Sequence, residues 1–312
     1  MSFFEAVKKH PLILILLALC AISTFTIASA APVMTNIANP DRMWIMQLAY
    51  YAIGGLIAFA IYKVGMDTLY RNIRLLYWIF MVLLIGLAID HICYTKLLHT
   101  HTVPFASYVN GSTCWYNFKV FSFQPSEFMK VIMVMYLAQM TKEFNNKVLV
   151  RTSDSELKYI SEVLKIAVPP AILILLENDT GVIMIMAAAC FFILISSGMN
   201  GRWFIFFFSA LAIIIALMSY LFVYHNGIFT SLISGHRLDR FYGWLDPEGT
   251  AGNQGMQLWF ALLSYGTASW FGHGFRASVM SFPEGHTDFI FAVICTDFGY
   301  VGALITIAAI VA

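Results

Sequence analysis

The sequence predicts an all-α polytopic membrane protein of about eight transmembrane helices. Three observations carry that expectation. Apolar residues make up 60% of the 312 residues and charged residues 11%, where soluble chains run at about 45–50% and about 25%. Mean hydropathy is +0.77. The apolar residues fall in runs close to the ~20 residues that cross a bilayer as a helix, separated by short polar breaks. Net charge is +1, from 18 Lys and Arg against 17 Asp and Glu, which excludes nucleic-acid binding by bulk electrostatics.

The first span is expected at 11–31. Lys8, Lys9 and His10 precede it and Ala28-Ser29-Ala30 closes it, an arrangement that imitates a secretory signal and its cleavage site. The run is long enough to span and more spans follow, so a retained helix is expected. Further spans are expected at 43–62, 75–90, 125–141, 162–177, 182–199, 203–224 and 288–312. Pro169-Pro170 should kink the fifth. The segment 256–272 is apolar but short and broken by Gly and Ser. It reads as a helix lying at the interface or dipping in and returning.

Orientation follows from Lys and Arg in the short loops. Lys63, Arg71, Arg74, Lys142, Lys147, Arg151, Lys158 and Arg202 fall on the side of the N-terminus, against Arg42, Lys96 and Lys119 opposite. The N-terminus is therefore expected inside, and the two large loops, 91–124 and 225–287, outside.

Ionisable residues at membrane depth are functional candidates by default. Glu127 and Lys130 open the fourth span three residues apart, on one helix face. They form either a structural pair or part of a polar cavity. Glu177 and Asp179 fall in the tight turn between spans five and six, which reads as a solvated turn with Asp179 as a helix cap. The densest cluster is Pro283-Glu284-Gly285-His286-Thr287-Asp288. Asp288 is expected in the first turn of span eight, capped by Thr287 or His286. It serves there either as a dipole-matching charge or as a general base. Arg237 and Arg240 read as a charged loop or as a grip for pyrophosphate. His91, Cys93, His99 and His101 have the composition of a metal set without a compelling geometry. Cys93 and Cys114 could pair if their loop faces outward, and Asn110-Gly111-Ser112 matches a glycosylation sequon.

Several of these stretches resemble the SEDS family, the group of RodA, FtsW and SpoVE. Phe123-Gln124-Pro125-Ser126-Glu127 with Lys130 resembles its FQPSE-x-x-K signature. Arg237 to Pro247 resembles R-x-x-R-x-x-x-x-L-D/N-P, and Pro283 to Val293 resembles PE-x-HTDFIFAV. Asp179-x-Gly181 is similar to the core of QPDLGT, and Gly272-x-Gly274 to a G-x-G before the PE block. Glu177-Asn178 stands where the pattern has Gln-Pro, and Thr296-Asp297 where it has paired acids.

The resemblance implies a peptidoglycan glycosyltransferase that polymerises lipid II on the outer face of the bacterial cytoplasmic membrane, together with a class B penicillin-binding protein. It implies that Asp288 is catalytic and that Glu127, Lys130, Arg237, Arg240 and His286 line the substrate cavity. Gln124, Pro125, Ser126, Asp179 and Gly181 are implied as its structural motif. The FQPSE form leans toward the elongation member, with the division role as alternative. Pyrophosphate chemistry admits a divalent cation, magnesium or manganese, as helper. The family pattern has ten spans, so residues 1–312 are expected to form one transmembrane domain with two further spans missing. A lipid II flippase and a non-catalytic scaffold for the penicillin-binding protein are the competing readings.

Overall fold

A computed structural model of the chain describes residues 11–34, 37, 39–97, 99–109, 111–118, 121–148, 150–232, 236–277 and 284–312. In chain order its elements begin with α1 (Pro11–Ser29), α2 (Met43–Val64), the short α3 (Met66–Arg71) and α4 (Ile73–Ile92). Strands β1 (Ala106–Val109), β2 (Ser112–Asn117) and β3 (Ser122–Phe123) follow. Next come α5 (Pro125–Lys147), α6 (Ser153–Leu176), α7 (Thr180–Ser196) and α8 (Gly201–Tyr224). The chain ends with α9 (Asn226–Leu232), α10 (His236–Leu245), α11 (Met256–Thr267) and α12 (Ile290–Val311). Each of the eight expected runs is a helix.

By length and apolarity α1, α2, α4, α6, α8 and α12 qualify as spans, while α7 is apolar but has 17 residues. The remaining helix, α5, carries charge at both ends and packs against α4, α6 and α7. α2 and α8 bury no residue at all, as expected of helices whose whole circumference can face lipid. One boundary differs from expectation: α6 starts at Ser153, nine residues before the apolar run. Its first turns are amphipathic and charged, and a capping box holds them. Ser155 N donates to Thr152 Oγ1 at 3.3 Å while Thr152 N donates to Ser155 Oγ at 3.0 Å.

The chain divides into two compact units, residues 61–215 and residues 1–60 with 216–312. In the first, α4, α5, α6 and α7 share a core that includes Tyr77, Leu84, Met129, Leu137, Tyr159 and Met186. α6 runs unbroken through Pro169-Pro170. Pro170 has no N–H for the carbonyl of Ile166, four residues back. Tyr77 Oη donates to that carbonyl instead, at 2.9 Å. A three-stranded antiparallel sheet, ordered β1-β2-β3, lies in the first of the two large loops. It rests on α4 through Tyr116, whose Oη donates to Leu83 O at 2.9 Å. Gly86 leaves the room, since a Cβ there would stand 2.9 Å from that oxygen.

In the second unit α12 packs on α1 and α11 and is broken at Gly299, with φ 65° and ψ −163°. Residues 269–274 fill the break. Tyr300 N and Val301 N donate to Ser269 O and Trp270 O at 3.1 Å each, while His273 N and Gly274 N donate to Thr296 O and Asp297 O at 2.8 and 3.0 Å. The segment thus satisfies backbone groups that a broken helix would leave orphaned inside a membrane. A Cβ on Gly299 would lie 2.5 Å from Trp270 O, and one on Gly272 2.5 Å from Asp297 O, so both backbones approach too closely for any side chain.

Candidate functional site

The motif residues of the first unit converge on the start of α5 and the α6–α7 turn. Gln124 is the N-cap of α5 and Pro125 occupies its first turn, where a missing N–H costs nothing. With no backbone duty, the Gln124 side chain donates from Nε2 to Asp179 Oδ2 at 2.9 Å. The other carboxylate oxygen, Asp179 Oδ1, accepts Val182 N at 3.2 Å and caps α7, the role expected for it. One carboxylate therefore ties together two motifs that lie 55 residues apart. Gly181 sits in the first turn of α7. A Cβ there would meet Asp179 Oδ1 at an ordinary 3.7 Å, so space does not explain the glycine. Ser126 is fully buried and its hydroxyl has no partner among the described residues.

Glu127 and Lys130 pair as the spacing predicts, Nζ to Oε1 at 2.8 Å, with Lys130 more enclosed (18% exposed) than Glu127 (49%). Removing the acid strands a half-buried ammonium. Glu127→Ala is expected to lower the melting temperature in detergent by a few degrees, in line with about 1 kcal/mol for a partly exposed pair. If the pair also meets a ligand, the exchange Glu127→Lys with Lys130→Glu is expected to restore melting better than function. Equal rescue of both would reduce the pair to a structural role.

Glu177 departs from expectation. It reads as part of a solvated turn, yet its side chain is fully buried and neither carboxylate oxygen has a partner among the described residues. Burial, and to a lesser degree the Asp179 charge, push its carboxyl up to about 9. The sheet covers this turn: Thr113 N donates to Glu177 O at 3.3 Å, and Asn178 Nδ2 to Gly111 O at 3.1 Å. Asn178 takes φ 67°, a conformation closed to the proline of the family pattern.

The histidines of the 91–101 stretch make separate contacts. His101 Nδ1 lies 2.8 Å from Asp90 Oδ2, and Asp90 Oδ1 accepts Thr102 N at 2.6 Å and Val103 N at 2.8 Å. His91 Nδ1 lies 3.1 Å from Thr113 Oγ1. No three His, Cys, Asp or Glu side chains gather as a metal cage among the described residues. Cys93 and Cys114 are both free thiols, and burial pushes Cys114 up to about 12. The sequon's Asn110 lies outside the described residues, as does Pro283 of the PE block.

In the second unit Asp288 is not in the first turn of α12. The helix begins at Ile290 with Phe289 as N-cap and no side-chain cap. Thr287 does not cap it; Thr287 Oγ1 donates to Glu284 Oε2 at 2.9 Å. Asp288 lies in the preceding turn, exposed, with no hydrogen bond or ion pair to any described residue. His286 of the same turn is half-buried. Arg240 is exposed on α10, which packs on α11, and α11 packs in turn on α12. Arg237 belongs to α10, but its side chain lies outside the described residues. A buried acid that motif reading noted only at the place of the paired acids is Asp297, beside the break in α12, where Ser29 Oγ donates to Oδ2 at 2.5 Å. Ser29 Oγ in turn accepts Arg276 N at 2.8 Å.

Spanning helices, a broken terminal helix and polar motifs gathered at helix starts define a multi-pass helical membrane protein. The chain belongs to the cell cycle protein family of FtsW, RodA and SpoVE, whose profile matches residues 9–311. It is 29% identical to the probable peptidoglycan glycosyltransferase FtsW of Acinetobacter baylyi, over 97% of this chain and 69% of that one. With the protein of the same name from Nitrosomonas europaea it shares 28% identity over 64% of this chain and 48% of the relative. The chain thus spans about half to about two thirds of the length of these curated relatives. Among solved structures it resembles a chain from a study of a peptidoglycan synthase complex that coordinates polymerization and crosslinking. The TM-score is 0.69 at 18% identity, covering 96% of this chain and 74% of that one. It also resembles the rod shape determining protein RodA of Thermus thermophilus, with TM-score 0.56 at 18% identity, covering 96% and 70%. These structural likenesses establish the fold.

Proposed function

We propose that this protein is a peptidoglycan glycosyltransferase that polymerises lipid II at the outer face of the cytoplasmic membrane, with Asp288 as general base. The observation that carries the reading is the Asp288 carboxylate, exposed and without a partner among the described residues, inside a stretch that resembles the PE-x-HTDFIFAV pattern. An acceptor sugar's 4-hydroxyl attacks the anomeric carbon of a lipid-linked sugar. The new C–O bond forms as the bond to the lipid pyrophosphate breaks, and the hydroxyl proton passes to Asp288. Arg240 and Arg237 supply cationic charge for the departing pyrophosphate, with His286 beside the base. The family resemblance supports a substrate-contacting role for Glu127 and Lys130 as well. A magnesium or manganese ion would add charge at the pyrophosphate. Three side chains of His, Cys, Asp or Glu to hold one are not gathered among the described residues.

The working partner is a class B penicillin-binding protein, a reading supported by the likeness to a chain of a peptidoglycan synthase complex. The FQPSE form favours a role in elongation, whereas the FtsW names of the relatives favour division. The test is purified protein with its penicillin-binding partner and labelled lipid II, with glycan strands resolved on gels. Transport of lipid II across liposomes without strand formation would replace the reading with a flippase, and neither activity would favour a scaffold. The orientation has its own check. Thr250→Cys, in a background lacking other reactive cysteines, is expected to react with membrane-impermeant maleimide on intact cells. Labelling only after permeabilisation would invert the topology and remove Asp288 from the outer face.

A further inference from the structure

We propose that a pocket between α4, α5 and α6, at their Lys- and Arg-rich ends, binds the phosphoethanolamine headgroup of a membrane lipid. The pocket holds about 290 Å³ and is lined by Arg74, Tyr136, Gln139, Glu143, Glu162 and Lys165 among others. That is far more than the about 10–15 Å³ a single water needs on the same measure.

The unmatched groups define the ligand. Lys165 is taken by Glu162 at 2.6 Å, and Gln139 Nε2 donates to Glu143 Oε1 at 3.2 Å. Two groups of opposite demand are left over. The exposed Arg74 side chain has no hydrogen bond or ion pair to any described residue. Gln139 Oε1 is buried with no donor among them. The guanidinium fork calls for an anion of phosphate geometry. The orphaned amide oxygen, with the remaining carboxylate oxygens of Glu143 and Glu162, calls for a cation bearing N–H. Two acids and two bases line the space, so a simple anion would meet two carboxylates and a simple cation would leave Arg74 unmatched. One group that carries both charges is a phosphate joined to a primary ammonium.

The position supplies the tail. Arg74 lies in the first turn of α4, and Leu75 and Trp78 beside it are about 60% exposed on a helix apolar enough to span. Charged residues at the end of a spanning helix next to an outward Trp mark the membrane interface, where a headgroup enters with its chains in the hydrocarbon. This reading rests on the first unit and on membrane insertion. It is independent of transferase activity.

The test is native mass spectrometry of delipidated protein titrated with phosphatidylethanolamine, phosphatidylglycerol and phosphatidylcholine. Phosphatidylethanolamine is expected to be retained in preference. Arg74→Gln and Glu143→Gln are each expected to weaken that retention by about 10- to 100-fold, the range for losing a charge-assisted hydrogen bond. Lys158→Gln, on α6 outside the pocket, is expected to change nothing. Soluble phosphoethanolamine should displace the lipid where inorganic phosphate does not. Equal retention of the three lipids, equal competition by phosphate, or unchanged binding in both pocket variants would overturn the proposal. Melting of each variant in detergent guards against misfolding, and Glu143→Gln decides if Arg74→Gln fails to fold.

Discussion

Asp288→Asn is expected to lower glycan polymerisation by about 10²–10⁴-fold, the usual contribution of a general base. Asparagine keeps the shape and the hydrogen-bonding reach of the side chain but cannot take the acceptor's proton, so the loss should appear in kcat with KM little changed. Folding should be almost untouched, because Asp288 is exposed, lies outside α12 and holds no described residue in place. Asp288→Glu should recover only part of the rate, since one added methylene moves the carboxylate away from the hydroxyl. The readout is strand length and amount from labelled lipid II, beside the melting temperature of each variant. Wild-type polymerisation by Asp288→Asn would sink the assignment and turn attention to Glu127, the paired carboxylate of the first unit.

Six of the eight long helices were legible because lipid allows a simple rule, about 20 apolar residues with backbone groups satisfied inside the segment, while α5 and α7 were legible as apolar runs between polar breaks. The Glu127–Lys130 pair and the Asp179 cap were legible because both are local, set by a three-residue spacing. What escaped is what depends on distant partners. The burial of Glu177 is imposed by a sheet whose strands lie 54 to 71 residues earlier. The stretch Ser107-Tyr108-Val109-Asn110-Gly111-Ser112-Thr113 carried a usable hairpin signal, an Asn-Gly between β-forming residues, but the loop was read for charge, metal ligands, thiol pairing and a sequon and not for strands. The break in α12 was written in Gly272 and Gly299, yet neither glycine is informative alone; each needs the backbone of the other segment 2.5 Å from its missing Cβ. Asp90, at the end of an apolar run, was a readable anomaly. Its four hydrogen bonds, from His101, Thr102 and Val103, make it a clamp on the loop that follows α4.

Glu177→Gln is expected to stabilise the protein, and increasingly so as pH rises. In the folded chain the carboxyl titrates at about 9 against an ordinary value of 4.5, because the side chain is fully buried with Asp179 nearby and no partner for either oxygen among the described residues. The folded state therefore binds one more proton than the unfolded state between those two values, and stability falls with pH across that window. The contribution is fully present below about pH 4.5 and gone above about pH 9. A shift of this size corresponds to about 6 kcal/mol across the whole window, and about 3 kcal/mol of it is already lost at pH 7. Glutamine is nearly isosteric with the protonated acid and has no proton to hold. The family pattern also has Gln at this position, so the protonated acid occupies the space of a neutral amide. Melting of wild type and Glu177→Gln in detergent from pH 5 to pH 9 should give curves that meet at the acid end and separate toward the alkaline end, with the variant higher. Parallel curves would show that Glu177 is ionised in the folded protein, and that the turn beneath the sheet is hydrated after all.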